Sequence, residues 1–329
     1  MNPVVSVIIP AYNTEAYIEK AIRSVLDQTW QNFEVVVVDD GSTDKTVSVV
    51  RSITDNRVKL FKNDHNMGAG ASRNRAIRES HGDWVAVLDS DDWYAPGRLE
   101  RLVNLAQAQG ADMVADDLYI VEDGHNQPRT TLLAWGGTTC TQPIYVRPVD
   151  FVKSDVESQR GLKLGFSKPI FKRQFLCDHS VAYRPEIIVS QDFWIALDCL
   201  VNGANFWLLP KPYYYYRCRE GALTSSTKIT LRLDQECEAI TRFMAEHQSY
   251  LASHPNLAKA LAFKLRETAK YRDYYSVVEP LKGKKYAQAL GQVSAYPGFI
   301  AVLFQRFPGI LSRRIQALFH KDNVYYKFN

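Results

Sequence analysis

The sequence predicts an α/β fold with a mostly parallel central sheet covered by helices on both faces, and three observations predict it. Short apolar, β-branched runs recur at Val4 to Ile9, Glu34 to Val38, Val58 to Phe61 and Trp84 to Leu88, each the length of a buried strand. Segments with helical spacing fall between them, the alternation that builds parallel sheets. A polar cluster follows every run: Tyr12-Asn13, Asp39-Asp40-Gly41-Ser42, Asn66 with Gly68, and Asp89-Ser90-Asp91. In such sheets ligands bind outside the carboxyl ends of the strands.

Taken in order, Pro10 closes the first run, and Thr14 is a candidate N-cap for a helix carrying Ala21, Ile22, Val25 and Leu26 on one face. Ser42 or Thr43 can cap the helix after the second strand, and Ala69 to Ser80 is the helix after the third. Arg98 to Gln109 is a further helix stopped by Gly110, and Asp112 to Ala115 begins another strand. From Arg129 to Leu164 the periodicity weakens, which reads as a loop-rich insert. Gln191 to Val201 has helical spacing, and Phe206 to Leu209 and Tyr213 to Tyr216 read as two strands separated by Pro210 and Pro212. Beyond Ser226, amphipathic spacing takes over at Leu231, Ile240, Phe243, Leu257, Leu261 and Leu265. The expected organisation is an α/β domain at 1–226, split near residue 120 into two halves, followed by a helical region at 227–329.

Composition narrows the function classes. The 329 residues carry a net charge of only +4, too weak to argue for nucleic acid. Cysteines 140, 177, 199, 218 and 237 form no C-x-x-C pair, which argues against a disulfide framework or a structural zinc and fits a reducing cytosol. The seven histidines show no metal spacing. There is no secretory pattern at the N-terminus and no run of spanning length, so the expected location is cytoplasmic.

The run Trp84 to Leu88 ends in Asp89, Asp91 and Asp92. Like charges so close resist burial and call for a compensating cation. Carboxylates suit hard ions such as Mg²⁺ or Mn²⁺, which bring phosphate oxygens with them. A solvated strand end leading into a helix cap is the competing reading. Gly68-Ala69-Gly70 is not a dinucleotide fingerprint, because its third glycine would fall at Arg73. Arg73 is either a fixed positive charge facing a nucleotide or an acidic site residue, or a surface arginine.

With these clusters placed, the chain resembles the family 2 glycosyltransferases. The resemblance is carried by Val5-Ser6-Val7-Ile8-Ile9-Pro10-Ala11-Tyr12-Asn13, by Val36-Val37-Val38-Asp39-Asp40-Gly41-Ser42-Thr43-Asp44, by Asn66-Met67-Gly68 with Ala71-Ser72-Arg73-Asn74, and by Asp89-Ser90-Asp91-Asp92, over about residues 4 to 220. It implies a GT-A fold, with a nucleotide-sugar half at about 1–120 and an acceptor half at about 121–226. It also implies a metal-dependent, inverting transfer of a sugar from a nucleotide diphosphate donor, with uridine as the expected base, to a hydroxyl of a glycan or lipid-linked acceptor. Pro10, Ala11, Tyr12 and Asn13 would line the nucleotide pocket. Asp40 would accept the uracil N3–H, with Asp39 as the less certain partner; an Asx-turn before the next helix is the structural alternative. Asp89 and Ser90 would meet the ribose side of the donor, Asp91 would hold Mn²⁺ or Mg²⁺, and Arg73 and Arg217 would face the nucleotide and diphosphate, with Arg219 in the same basic segment. Asp92 would be a supporting or acceptor-side group.

The resemblance places the general base at Asp192, at the start of a helix, where the family commonly has Glu-Asp and this chain reads Gln191-Asp192. Gln191 removes a charge beside the base and puts in question an ion pair with a nearby arginine. Trp194 could stack on a sugar or pack in the core. No Q-x-x-R-W motif occurs, which points to a non-processive enzyme. A non-catalytic nucleotide-sugar-binding protein of the same fold is the alternative. A sugar-1-phosphate nucleotidyltransferase would need a glycine-rich loop where Ala11-Tyr12-Asn13-Thr14 stands.

From residue 281 onward the basic residues are Lys282, Lys284, Lys285, Arg306, Arg313, Arg314, Lys321 and Lys327, with Asp322 the only acid. Apolar residues from Phe299 to Phe319 share this segment. The pattern fits either a helix lying on an anionic membrane surface or a packed helix with a solvated basic face.

Overall fold

β1 (Val5–Ala11) and β2 (Phe33–Asp39) are buried along their whole length, as expected of strands covered on both faces. The computed structural model describes residues 4–156, 158–159, 161–219, 227–296 and 298–304. The other strands are β3 (Val58–Lys62), β4 (Trp84–Val87), β5 (Trp93–Tyr94), β6 (Met113–Glu122), β7 (Thr130–Thr131), β8 (Ile144–Tyr145), β9 (Ile170–Lys172) and β10 (Phe206–Cys218). The helices placed against them are α1 (Ile18–Leu26), α2 (Thr46–Ser52), α3 (Ala69–Arg78), α4 (Arg98–Gln109), α5 (Leu132–Trp135), α6 (Pro148–Ser154), α7 (Arg173–Asp178) and α8 (Gln191–Val201).

The sheet runs β3-β2-β1-β4-β9-β6-β10-β5, with β7 on β6 and β8 on β10. β3, β2, β1 and β4 are mutually parallel, and β6 and β10 form a second parallel pair. β9 separates the two groups, antiparallel to both β4 and β6. Strand order reverses at β1, flanked by β2 and β4, which opens the crevice where ligands bind in such sheets. One sheet face, with Val7, Ile9, Val35, Val37 and Ala86, packs on Ile18, Ile22 and Val25 of α1 and on Leu99, Leu102 and Val103 of α4. α3 lies against β1 and β2.

Several local expectations are corrected. Thr14 starts the first helical turn through its carbonyl, which accepts from Tyr17 N and Ile18 N, but its side chain caps nothing. At α2 the N-cap position is Lys45, not Ser42 or Thr43, and it is Asp44 Oδ1 that accepts from Thr46 N in the first turn, at 2.9 Å. The two strands expected around Pro210 and Pro212 are one strand, β10, with register shifts between Leu209 and Pro212 and between Pro212 and Tyr214. Prolines cannot donate to a ladder, and the bulges absorb them without ending it. The insert contains β7, β8, α5 and α6 as short elements.

Beyond β10 come helices Ile229–Glu246, Gln248–Ser253, Pro255–Lys282 and Tyr286–Ala295. The described residues divide into two compact units, one of those up to Thr227 with Met244–Lys264, and one of Lys228–Phe243 with the described residues from Leu265 on. Within the first, Lys264 Nζ donates to the backbone and side chain of Asp155, both at 2.8 Å. The second has its own small core of Leu233, Tyr271, Tyr274, Tyr275 and Val302. Among the described residues no single helix is long and apolar enough to cross a membrane. The basic residues expected from Arg306 to Lys327 lie outside the described residues.

One buried ion pair ties α4 to the sheet. Arg98 donates from Nε and Nη2 to Asp116, the Nη2 bond at 2.7 Å, and both side chains are fully buried. Replacing Asp116 with alanine strands a guanidinium in the core, and we expect a loss of about 3–5 kcal/mol in chemical denaturation. A loss below about 1 kcal/mol would contradict this account.

Candidate functional site

Four loops meet at the carboxyl edge of β3, β2, β1 and β4. The chain leaves β1 through Tyr12 and Asn13, and Asn13 adopts a left-handed conformation at φ 51°. Its Oδ1 accepts from Thr43 N at 2.8 Å, while Asn13 N donates to Ser42 Oγ at 3.0 Å. Thr14 N donates to Thr46 Oγ1 at 2.8 Å. The loops after β1 and β2 are thus tied together by local side-chain bonds to backbone. Gly41 sits at φ +76°, and a Cβ there would come within 2.9 Å of the His65 backbone, so the loop after β3 closes directly on it.

Asp40 is engaged by that third loop. Its Oδ1 accepts from Asn63 Nδ2 at 2.7 Å and Met67 N at 2.9 Å, and its Oδ2 from Gly68 N at 2.8 Å. Asp39 makes one long contact, from Ser42 N to Oδ2 at 3.3 Å, and its buried Oδ1 has no partner among the described residues. Pro10 and Ala11 form the last two rungs of β1 beside Val38 and Asp39. The Tyr12 ring is exposed next to them.

The carboxylates after β4 have separate fates. Asp89 is the anion between two cations: Arg73 Nη2 donates to its Oδ1 at 2.5 Å and Lys168 Nζ to its Oδ2 at 2.8 Å. Burial works against the charged form, but Lys168 and Arg73 overcome it and hold this carboxyl well below the usual carboxylate range. Ser90 beside it is buried. Asp92 is buried, accepting from Tyr214 Oη and Arg217 N, both at 2.7 Å. Burial, with Asp91 and Asp89 nearby, pushes its carboxyl well up. Its bonds to Tyr214 and Arg217 support the turn.

Asp91, like Asp89, is partly exposed. Arg219 Nε donates to its Oδ2 at 2.5 Å, and Arg217 Nε donates to its carbonyl at 2.8 Å. The Arg217 guanidinium lies over the Tyr17 and Trp93 rings, 5.0 and 4.8 Å from their centroids, and reaches Asp123. Among the described residues no group of three or more His, Cys, Asp or Glu is arranged to hold a metal. Asp91 alone still fits the way Mg²⁺ is held in phosphate-handling sites, by one or two carboxylates with substrate phosphates and water completing the shell.

Asp192 lies in the first turn of α8, after Ser190 in a left-handed conformation at φ 64°. Lys168 Nζ donates to its Oδ2 at 2.5 Å, and Tyr183 Oη to its Oδ1 at 3.4 Å. Gln191, just before it, takes the place of a charged partner for Arg73: Arg73 Nη1 donates to Gln191 Oε1 at 2.5 Å. The contact to arginine is kept and the negative charge is not. Arg73 itself is buried, not a surface residue, and its Nε has no acceptor among the described residues. Trp194 is 1% exposed, so it packs in the core and offers no face to a sugar.

The structure thus brings Asp192 to Asp89 although about a hundred residues separate them, and the residue between them, Lys168, was not singled out from sequence. Its signal was weak: a lone lysine between Ser167 and Pro169 ahead of a short strand. The antiparallel register of β9 on β4, Ala86 opposite Ile170, is what carries Lys168 to the level of Leu88, one residue before Asp89.

Comparison with known proteins agrees with this geometry. The glycosyl transferase family 2 profile matches residues 6–188. The chain is 33% identical over 299 residues to the succinoglycan biosynthesis protein ExoO of Rhizobium meliloti (strain 1021), covering 90% of this chain and 82% of that protein. It is 30% identical over 338 residues to ExoU, another succinoglycan biosynthesis protein of that strain, covering 98% and 94%. Among solved structures, residues 1–349 of S. aureus TarS in complex with UDP-GlcNAc superpose with a TM-score of 0.59 at 20% identity, covering 90% of this chain and 92% of that one, which shows the shared GT-A fold. Motifs, fold and relatives agree: the chain belongs to glycosyl transferase family 2 and is a glycosyltransferase.

Proposed function

We propose that this protein transfers a sugar from a UDP-sugar to a hydroxyl of a glycan or lipid-linked acceptor, with inversion at the anomeric carbon, one residue per encounter. The observation that carries the reading is the meeting of Asp192 with the Asp89–Asp91 turn at the carboxyl edge of the sheet. Relatives named for succinoglycan biosynthesis support an acceptor in polysaccharide assembly, and the TarS complex with UDP-GlcNAc supports a uridine diphosphate donor.

The chain's residues divide the work. Pro10 to Asn13 and Asp39 form the uridine pocket, with the Tyr12 ring available to stack on the base. Asp39 Oδ1, the buried acceptor with no partner among the described residues, is the better match for the uracil N3–H, because Asp40 already accepts three hydrogen bonds from the neighbouring loop. Asp89 and Ser90 border the ribose, while Arg73, Arg217 and Arg219 supply positive charge near the diphosphate. Asp91 would hold Mn²⁺ or Mg²⁺; when bound, the ion neutralises charge on the leaving diphosphate. Asp192 takes the proton from the acceptor hydroxyl as its oxygen bonds to the anomeric carbon and the bond to the diphosphate breaks. One displacement of this kind inverts the centre.

The C-terminal region supports a membrane-surface role, and with it a cytoplasmic, peripheral location. Tyr286, Leu290, Ile300 and Phe304 are exposed apolar residues, and Lys282, Lys284 and Lys285 precede them.

Three measurements test the proposal. A screen of UDP-sugars with Mn²⁺ and a glycan acceptor is expected to give one transferred product of inverted anomeric configuration by NMR. In that assay Asp192→Asn is expected to lose about 10²–10⁴-fold in kcat while keeping UDP affinity; unchanged transfer would remove Asp192 from the base role. For wild type, calorimetry should show UDP binding strengthened by Mn²⁺, and Asp91→Asn should abolish that strengthening; an equal Mn²⁺ effect in the variant would place the metal elsewhere. Sedimentation with vesicles containing anionic lipid should show salt-sensitive binding that disappears on deleting residues 281–329, and no binding at low salt would end the membrane reading.

A further inference from the structure

Lys168 has no part in the division of work above, yet its ammonium bonds both Asp89 and Asp192. Its ammonium donates to Asp89 Oδ2 at 2.8 Å and to Asp192 Oδ2 at 2.5 Å, with the side chain only 6% exposed. We propose that Lys168 is the positioning residue for the general base: it anchors Asp192 Oδ2 and leaves Oδ1 to receive the acceptor's proton. This rests on Asp192 being the base.

The geometry is specific. A carboxylate acting as base needs one oxygen free to take a proton and a fixed orientation for the plane of the group. Lys168 satisfies Oδ2 at close range, whereas the contact from Tyr183 Oη to Oδ1, at 3.4 Å, is long and easily displaced by an acceptor hydroxyl. Burial disfavours the charged form of Lys168, but Asp192 and Asp89 outweigh it and push its pKa well up, so the ammonium holds its protons and serves as an anchor. Burial likewise pushes the Tyr183 hydroxyl well up, with Asp192 adding to the shift, so it also stays protonated.

The stem of Lys168 is itself fixed. Its carbonyl accepts from Arg98 Nη2 at 2.5 Å, and Arg98 is locked by Asp116. This link runs through the backbone, so exchanging the side chain leaves it in place. The charged groups around Asp192 are Lys168 from the segment before β9, Arg73 from α3 and Asp89 from the end of β4, with Tyr183 as the neutral titratable neighbour. Two cations balance two anions. Gln191 preserves the balance, since a glutamate there would add a third negative charge. Without Lys168 the two carboxylates face each other with Arg73 alone, and Asp192 Oδ2 loses its anchor.

The test uses the full chain, UDP as the binding probe and the UDP-sugar that passes the screen above as substrate. Lys168→Met is expected to lower kcat about 10²-fold or more and to leave UDP affinity within about threefold. Lys168→Arg, which keeps a charged donor, should recover part of the rate. If Lys168→Met melts below the assay temperature, Lys168→Gln, which keeps a donor but no charge, is read in its place with the same expectation. A wild-type rate, no recovery in Lys168→Arg, or a loss of UDP affinity in step with the rate would overturn the proposal. Asp192→Asn separates the two failures. If it still transfers sugar, the base reading falls and this proposal with it; if it is inactive while the Lys168 variants keep the wild-type rate, only the role of Lys168 falls.

Discussion

The site depends on one constraint: two carboxylates from distant parts of the chain share a desolvated space, and that arrangement requires cations between them. Asp89 arrives at the end of β4 and Asp192 in the first turn of α8, and the ammonium of Lys168 bonds both. Arg73 closes the other side of Asp89 and reaches Gln191, the neighbour of Asp192. Each charge would be costly to bury alone. Together they join the first half of the sheet to the helix that follows the insert.

The scaffold explains why these groups stay in place. The carboxyl edge of β3, β2, β1 and β4 carries loops bonded to one another, with Asn13 holding Thr43 and Asp40 holding Met67 and Gly68. Beneath the turn after β4, Tyr214 of β10 donates to Asp92 and accepts from Asp89 N, so the second parallel pair of strands props up the first. The Arg98–Asp116 pair then fixes the segment that delivers Lys168. Rigid elements place the reacting groups, as a site that must orient two substrates requires.

Much of the sheet could be read directly. β1 to β4, α3 and α4 fall close to where apolar periodicity puts them, because a strand buried on both faces leaves a continuous apolar run that little else imitates. The polar clusters at the strand ends were legible for the same reason: they interrupt those runs abruptly. Cap identity was less so, since Thr14, Ser42, Thr43 and Asp44 are all competent capping residues and only the loop path brings Asp44 to Thr46 N. The division at Pro210 and Pro212 misled, because β6 supplies enough pairing for β10 to continue through its bulges.

Sequence by itself determined the parallel α/β plan, the order of the strand-end motifs and the family resemblance, since these rest on local periodicity and short motifs. Tertiary structure decided which charges meet. That Asp40 supports a loop while Asp39 keeps a buried acceptor with no partner among the described residues, that Trp194 is core, that Gln191 serves Arg73, and that Lys168 links Asp89 to Asp192 all follow from chain paths. The physical reason is the antiparallel insertion of β9 between β4 and β6. Strand pairing between segments some eighty residues apart is set by packing of the whole sheet, and no local pattern in either segment encodes its register.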